Sequence, residues 1–191
     1  MALPEEHGPD PRYRGRQSRR FPDFDFHQGR IPARQRRMPA NPNWSLVMSI
    51  REFLIDDHRH CDDFYAAAEQ AVERGDAAAA AAAFGQFRAA LLRHFAAEEQ
   101  TLFPAFEART GMTMGPTQMM RIEHEQMRGL VEVAEEALDG GDLEEFLGQA
   151  ESLLIMMQQH NMKEENVLYP MCDQHLAGEP AVLERLQSEL A

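Results

Sequence analysis

Two segments of the chain carry the same polar signature. His94 to Pro104 and His160 to Pro170 both read H-x3-E-E-x-x-L-[FY]-P. Another histidine precedes each copy by 36 residues, His58 before His94 and His124 before His160. Neutral imidazole is a good donor to iron, zinc, copper and nickel, and a carboxylate can bridge two cations. Four histidines (His58, His94, His124, His160) and two glutamates (Glu98, Glu164) therefore suit a dinuclear site with two nitrogen donors per metal and two shared carboxylates. An added oxo or hydroxo bridge brings each metal to about five donors and leaves a position for a small exogenous ligand. Two non-haem iron ions are the expected occupants, because mixed His/Glu sets in helical bundles suit di-iron chemistry. Zinc and manganese stay open from the sequence.

Helices must position these residues. Strand signals are absent, and helix signals come in order. The first helix is predicted from about Ser45 to Arg74 and stops at Gly75. Asp76 caps a second, which carries the run Ala77–Ala83 and continues to about Arg109. Gly111 and Gly115 mark the next turn, and Pro116 opens a third helix that ends at Gly140-Gly141. Asp142 caps a fourth, running to about His175, and Pro180 opens a short fifth between Glu179 and Leu190. Short connections make neighbours antiparallel. The predicted fold is all-α, an up-down antiparallel four-helix bundle with a short C-terminal fifth helix.

Spacing of three and four selects one core stripe per helix. The first is Val47, Ile50, Leu54, His58, Cys61, Tyr65, Ala68 and Val72. The second is Ala80, Phe84, Phe87, Leu91, His94 and Glu98. The third is Met120, His124, Met127, Val131, Ala134 and Leu138. The fourth is Phe146, Ala150, Leu153, Met157, His160, Glu164 and Val167. Four histidines and two glutamates thus fill slots that should be apolar. A buried unpaired carboxylate is very costly, and two divalent ions would compensate both. The six also share a level. His58 lies 17 residues before Gly75 and His94 lies 19 after it. Glu98 and His124 each lie 13 from Gly111, while His124 lies 16 before Gly140 and His160 lies 20 after it. At about 1.5 Å per residue these legs agree within about one turn. His94/Glu98 and His160/Glu164 are i,i+4 pairs, each on one face.

The pattern resembles the hemerythrin-like, or HHE cation-binding, family over about residues 45–175. Carried over by position, the resemblance implies metal ligands His58, His94, Glu98, His124, His160 and Glu164, both glutamates bridging. Oxygen-carrying hemerythrins place a second histidine four residues after the third-helix ligand, where this chain has Arg128. They also use H-x4-D where it has H-x3-E. The set is closer to the di-iron proteins linked to repair of iron–sulfur centres and to nitric-oxide stress. Those usually carry a cysteine-bearing N-terminal domain, and this chain has an arginine-rich segment instead.

Residues beside the six are assigned by periodicity. His60 sits about 200° round the helix from His58, so both cannot face one centre. Cys61 and Tyr65 share the face of His58 and read as core residues in preference to a redox thiol or a radical relay. Glu99 and Glu165 should turn toward solvent, and Cys172 and His175 should lie outside the site. Methionines 119, 120, 127, 156, 157 and 162 read as adaptable packing.

The chain has 191 residues, enough for one domain with an appendage. Its charge is uneven. Residues 1–43 hold nine arginines, no lysine, five acids and seven of the eleven prolines, whereas residues 44–191 hold ten Lys+Arg against 27 acids. The predicted boundary separates a disordered or loosely docked basic arm, 1–43, from the bundle, 44–191. The arm suits an acidic protein or a nucleic-acid partner. A solvated extension is the preferred reading, because arginine clusters alone are weak motifs. A net charge of −13 argues against the whole protein being a nucleic-acid binder. Ser18-Arg19-Arg20-Phe21 resembles a twin-arginine export signal, but Pro22, Asp23, Phe24 and Asp25 follow where an apolar stretch is needed. Two cysteines and no membrane-length apolar run give a cytoplasmic expectation with no membrane partner.

Two functions fit. The first is a non-haem di-iron protein that binds, senses or reduces a small oxidant (O2, NO or peroxide). The second is a non-catalytic iron-handling or regulatory protein whose metal occupancy controls partner binding through the arm. No substrate pocket is legible, so catalysis is left open.

Overall fold

The first helix starts where its backbone donors find a partner. Ser49 accepts from the Glu52 N–H, and Glu52 reaches back to the Ser49 N–H, a reciprocal cap. The computed structural model describes residues 48–191. In it α1 spans Ile50–Glu73, so the predicted start at Ser45 is corrected by this cap. Val47 and the 1–43 arm lie outside the described residues. Asp76 and Asp142 accept from the backbone N–H three residues on and open α2 (Ala77–Ala97) and α5 (Leu143–Lys163), as predicted. Pro116 opens α4 (Pro116–Asp139), and Pro180 opens α7 (Pro180–Glu189). Gly111 adopts φ 74° and closes α3 (Phe103–Thr110), a left-handed position that suits a residue without Cβ. The described residues contain no strand.

The second and fourth rods depart from the predicted continuous α-helix. A π-helical turn, Glu98–Leu102, joins α2 to α3, and another, Glu164–Leu168, joins α5 to α6 (Tyr169–Leu176). Each begins on a candidate glutamate. Pro104 and Pro170 then fall in the first turn of the α-helix that follows, where a missing N–H costs least. A wider turn sets back the phase of every later side chain. Val167, assigned to the core by a 3.6 period, is 53% exposed, and Leu168 is buried in its place.

The rods pack as a helical bundle: α1 on α2, α4 on α5, α2 on α4, and α6 on both α1 and α3. Its interior holds two apolar clusters. One includes Cys61, Tyr65, Leu91, Phe95, Met127 and Met157; the other includes Leu54, Ala97, Leu102, Phe103, Met120 and Tyr169. Burying one large apolar side chain is worth about 1.5–3 kcal/mol, so both clusters hold the rods firmly. Leu54 and Cys61 flank His58, and Met120 and Met127 flank His124, so the polar level lies between the clusters. The predicted stripes are otherwise buried, except that Ala71 takes the buried place of Val72, which packs half-buried beside it. Met119 and Met162 are exposed rather than packed inside. Helix α7 covers the first π turn, where the Thr101 hydroxyl donates to the Glu189 carboxylate at 2.9 Å. No described helix is long and apolar enough to cross a membrane.

Candidate metal centre

All six predicted residues meet inside the bundle, each at most 5% exposed. His58 and His94 face each other through Nε2 at 3.1 Å, and so do His124 and His160. Glu164 spans the two pairs, with Oε2 3.3 Å from His58 Nε2 and Oε1 3.1 Å from His160 Nε2. Oε2 of Glu98 lies 3.4 Å from His94 Nε2 and 3.3 Å from His124 Nε2. Glu98, His124, His160 and Glu164 form one group able to hold a metal ion; His58, His94 and Glu164 form another.

The other ring nitrogens decide which way each imidazole points. His58 Nδ1 meets Glu165 at 2.9 Å and His124 Nδ1 meets Glu99 at 2.8 Å. His94 Nδ1 meets Asp57 at 2.8 Å, and His160 Nδ1 meets Glu123 at 3.0 Å. An ionised carboxylate only accepts, so each Nδ1–H donates and each Nε2 is left with its lone pair facing the centre. Two such lone pairs repel each other at 3.1 Å unless a metal ion or a proton is shared between them. Oε2 of Glu98 and Oε1 of Glu164 are also buried without a hydrogen-bond partner. Buried polar atoms of this kind are rarely left unpaired. Both observations fit a metal-binding site.

Charge gives the same answer. Two central and four outer carboxylates surround the histidines. Arg128 holds Glu99 through two bonds of 3.1 and 3.0 Å, and Lys163 pairs with Glu123. These two cations leave most of the negative charge of the six carboxylates unmatched by basic side chains, which favours a bound cation. Arg128 does not enter the centre; it lies over the Phe95 ring and clamps the group that orients His124.

A family model, the hemerythrin HHE cation binding domain, matches residues 49–172. The chain belongs to this family. No curated protein and no solved structure matches it. The hemerythrin-like domain thus covers both π turns and all six candidate residues.

The four outer carboxylates were not legible from stripe periodicity, and Glu99 and Glu165 were expected to face solvent. Their side chains are instead 24% and 30% exposed and hydrogen-bonded to His124 and His58. A 66-residue offset was the available signal. It relates Asp57 to Glu123 and Glu99 to Glu165, as it relates His58 to His124 and Glu98 to Glu164. Asp57 and Glu123 serve histidines of their own half, whereas Glu99 and Glu165 cross to the other half and tie the two together.

Tyr169 was also missed. It is five residues beyond Glu164, about 140° away on an α-helix, but the π turn brings the two onto one face. Its hydroxyl lies 2.8 Å from Glu98 Oε1 and 2.9 Å from Glu164 Oε2, within donating distance of either. Burial first, then both glutamates, push its ionisation well above the ordinary phenol range. His60 is exposed, as predicted. Cys61 is buried, and burial pushes its thiol up to about 12, which makes it an inert core residue. The Tyr65 hydroxyl donates to the Ala150 carbonyl at 2.8 Å, away from the centre. Cys172 and His175 provide none of the grouped donor atoms.

Without metal, protons take the place of cations. Burial lowers the His58 pKa, but the hydrogen bonds it donates to Glu164 and Glu165, with the charge of Glu164 and Glu98, outweigh it and raise the group to about 10. Burial likewise opposes, and Glu98 and Glu99 override, at His124, which is raised to about 9. A raised histidine stabilises the fold fully below its unfolded value of 6.5, and that stability is lost as pH rises through the folded value. The metal-free protein is therefore expected to lose several degrees of melting temperature between about pH 6.5 and pH 10. The metal-loaded protein, whose histidines are held neutral, should show little change there. Thermal melts of both forms across that window check this; equal pH dependence would contradict it.

Proposed function

We propose that the protein is a non-haem di-iron protein that binds, senses or reduces a small oxidant: O2, NO or peroxide. His58 and His94 would hold one iron and His124 and His160 the other, with Glu98 and Glu164 shared, in an up-down four-helix bundle. The observation that carries this reading is the pair of facing histidine couples spanned by buried, partnerless carboxylate oxygens. Two irons so held would supply reversible redox change and open coordination positions.

The chain's own residues set the conditions. Asp57, Glu99, Glu123 and Glu165 hold the imidazoles in one tautomer and one orientation. Phe95 stacks on His124 at 3.9 Å between ring centroids, and Phe103 lies at 5.8 Å on the same ring. These rings wall the His124 side with apolar surface, which admits a small weakly polar molecule and disfavours a charged one. Adding NO or O2 to the reduced, iron-loaded protein under anaerobic control is expected to change its visible spectrum. An unchanged spectrum with both irons present would overturn the proposal.

A further inference from the structure

The two halves of the centre differ at one position. The 66-residue offset that pairs every other member pairs Tyr169 with Phe103. Phe103 presents only a ring to His124. Tyr169 presents an oxygen to the His58 and His94 half, where Oη lies 3.1 Å from His58 Nε2 and 3.5 Å from His94 Nε2. The same oxygen lies 2.8 Å from Glu98 Oε1 and 2.9 Å from Glu164 Oε2. A phenol has one proton, and two carboxylate oxygens and two ring nitrogens surround it. Hydrogen bonding alone leaves most of those approaches unexplained.

The spacing has another meaning. Donors held at about 2.1 Å from one cation stand about 3 Å apart when at right angles. Oη keeps that spacing from both histidine nitrogens and from one oxygen of each glutamate. His58 and His94 keep it from each other at 3.1 Å, and His58 keeps it from Glu164 at 3.3 Å. The π turn is what places Tyr169 here, and the ring is completely buried.

We propose that Tyr169 is a seventh protein donor, its phenolate oxygen binding the cation held by His58 and His94. This rests on the metal reading above. On binding, the Oη–H bond breaks, the proton leaves to solvent, and an oxygen–metal bond forms; no electron is transferred. The His58 side is thereby filled with protein donors, and the His124 side, with Phe103 in the matching place, keeps the free position. The small oxidant is then directed to the His124 and His160 metal.

The test uses the full chain loaded with ferric iron, with iron per chain and visible absorption measured on the same sample. Phenolate bound to ferric iron gives a charge-transfer absorption, and resonance Raman excitation within it enhances tyrosine ring vibrations. The wild type is expected to show both. Tyr169→Phe should lose them, and Tyr65→Phe should keep them. Iron bound in any number to the wild type without that absorption overturns the role of Tyr169, as does an absorption that survives Tyr169→Phe. The iron count separately tests the dinuclear reading: one iron with the absorption would retain Tyr169 as a donor while removing the second metal.

Discussion

Glu164→Ala is expected to take the protein from two metal ions per chain to one or none. Its carboxylate spans the two histidine couples, and both groups of grouped donor atoms include it. The melting temperature should fall with the metal. A ligand present at about a thousand times its Kd stabilises the folded state by about 4 kcal/mol. In a chain of this size that is about 10 °C. Glu98→Ala should behave alike, because its Oε2 lies between His94 and His124. Elemental analysis beside calorimetry checks both variants. Two metals retained in each would mean that neither glutamate is a bridge.

The second large effect is expected one shell outward. Glu99 touches none of the facing ring nitrogens, yet Glu99→Ala should weaken metal binding about 10–100-fold, the usual cost of removing a carboxylate behind a ligating histidine. Burial would raise the Glu99 carboxyl, but His124 and Arg128 hold it down to about 2, so it stays ionised through the physiological range. Its loss frees His124 to rotate and leaves Arg128 without its partner. His60→Ala, on the exposed face of the same helix as His58, should leave affinity unchanged. Competition against a coloured chelator measures both. Equal affinity in Glu99→Ala and wild type would show that the outer carboxylates do not position the donors.

These expectations show how far a helical sequence can be read. The six central residues were legible because burial of polar side chains at apolar positions, repeated twice, needs a common cause. Turn glycines, aspartate caps and Pro116 fixed the helix limits closely, since each acts through its own backbone. The α1 start was misplaced because the reciprocal pair of Ser49 and Glu52, which sets the first turn, was not used to place it. Val167 was misassigned, and Leu168 and Tyr169 were missed, for a single reason. A 3.6-residue period carried through a π turn points every later side chain the wrong way. The outer carboxylates were hidden differently. Asp57, Glu99, Glu123 and Glu165 sit beside the core stripe, and a stripe argument assigns such positions to solvent. Only packing across helices shows that each has a ring nitrogen to hold.

The central claim is that the chain holds two metal ions between its two halves. Metal content per chain, measured on protein purified anaerobically from a native-like host, tests it most directly. Two irons per chain is the expected result. One zinc per chain, or no metal with the helices intact, would contradict it.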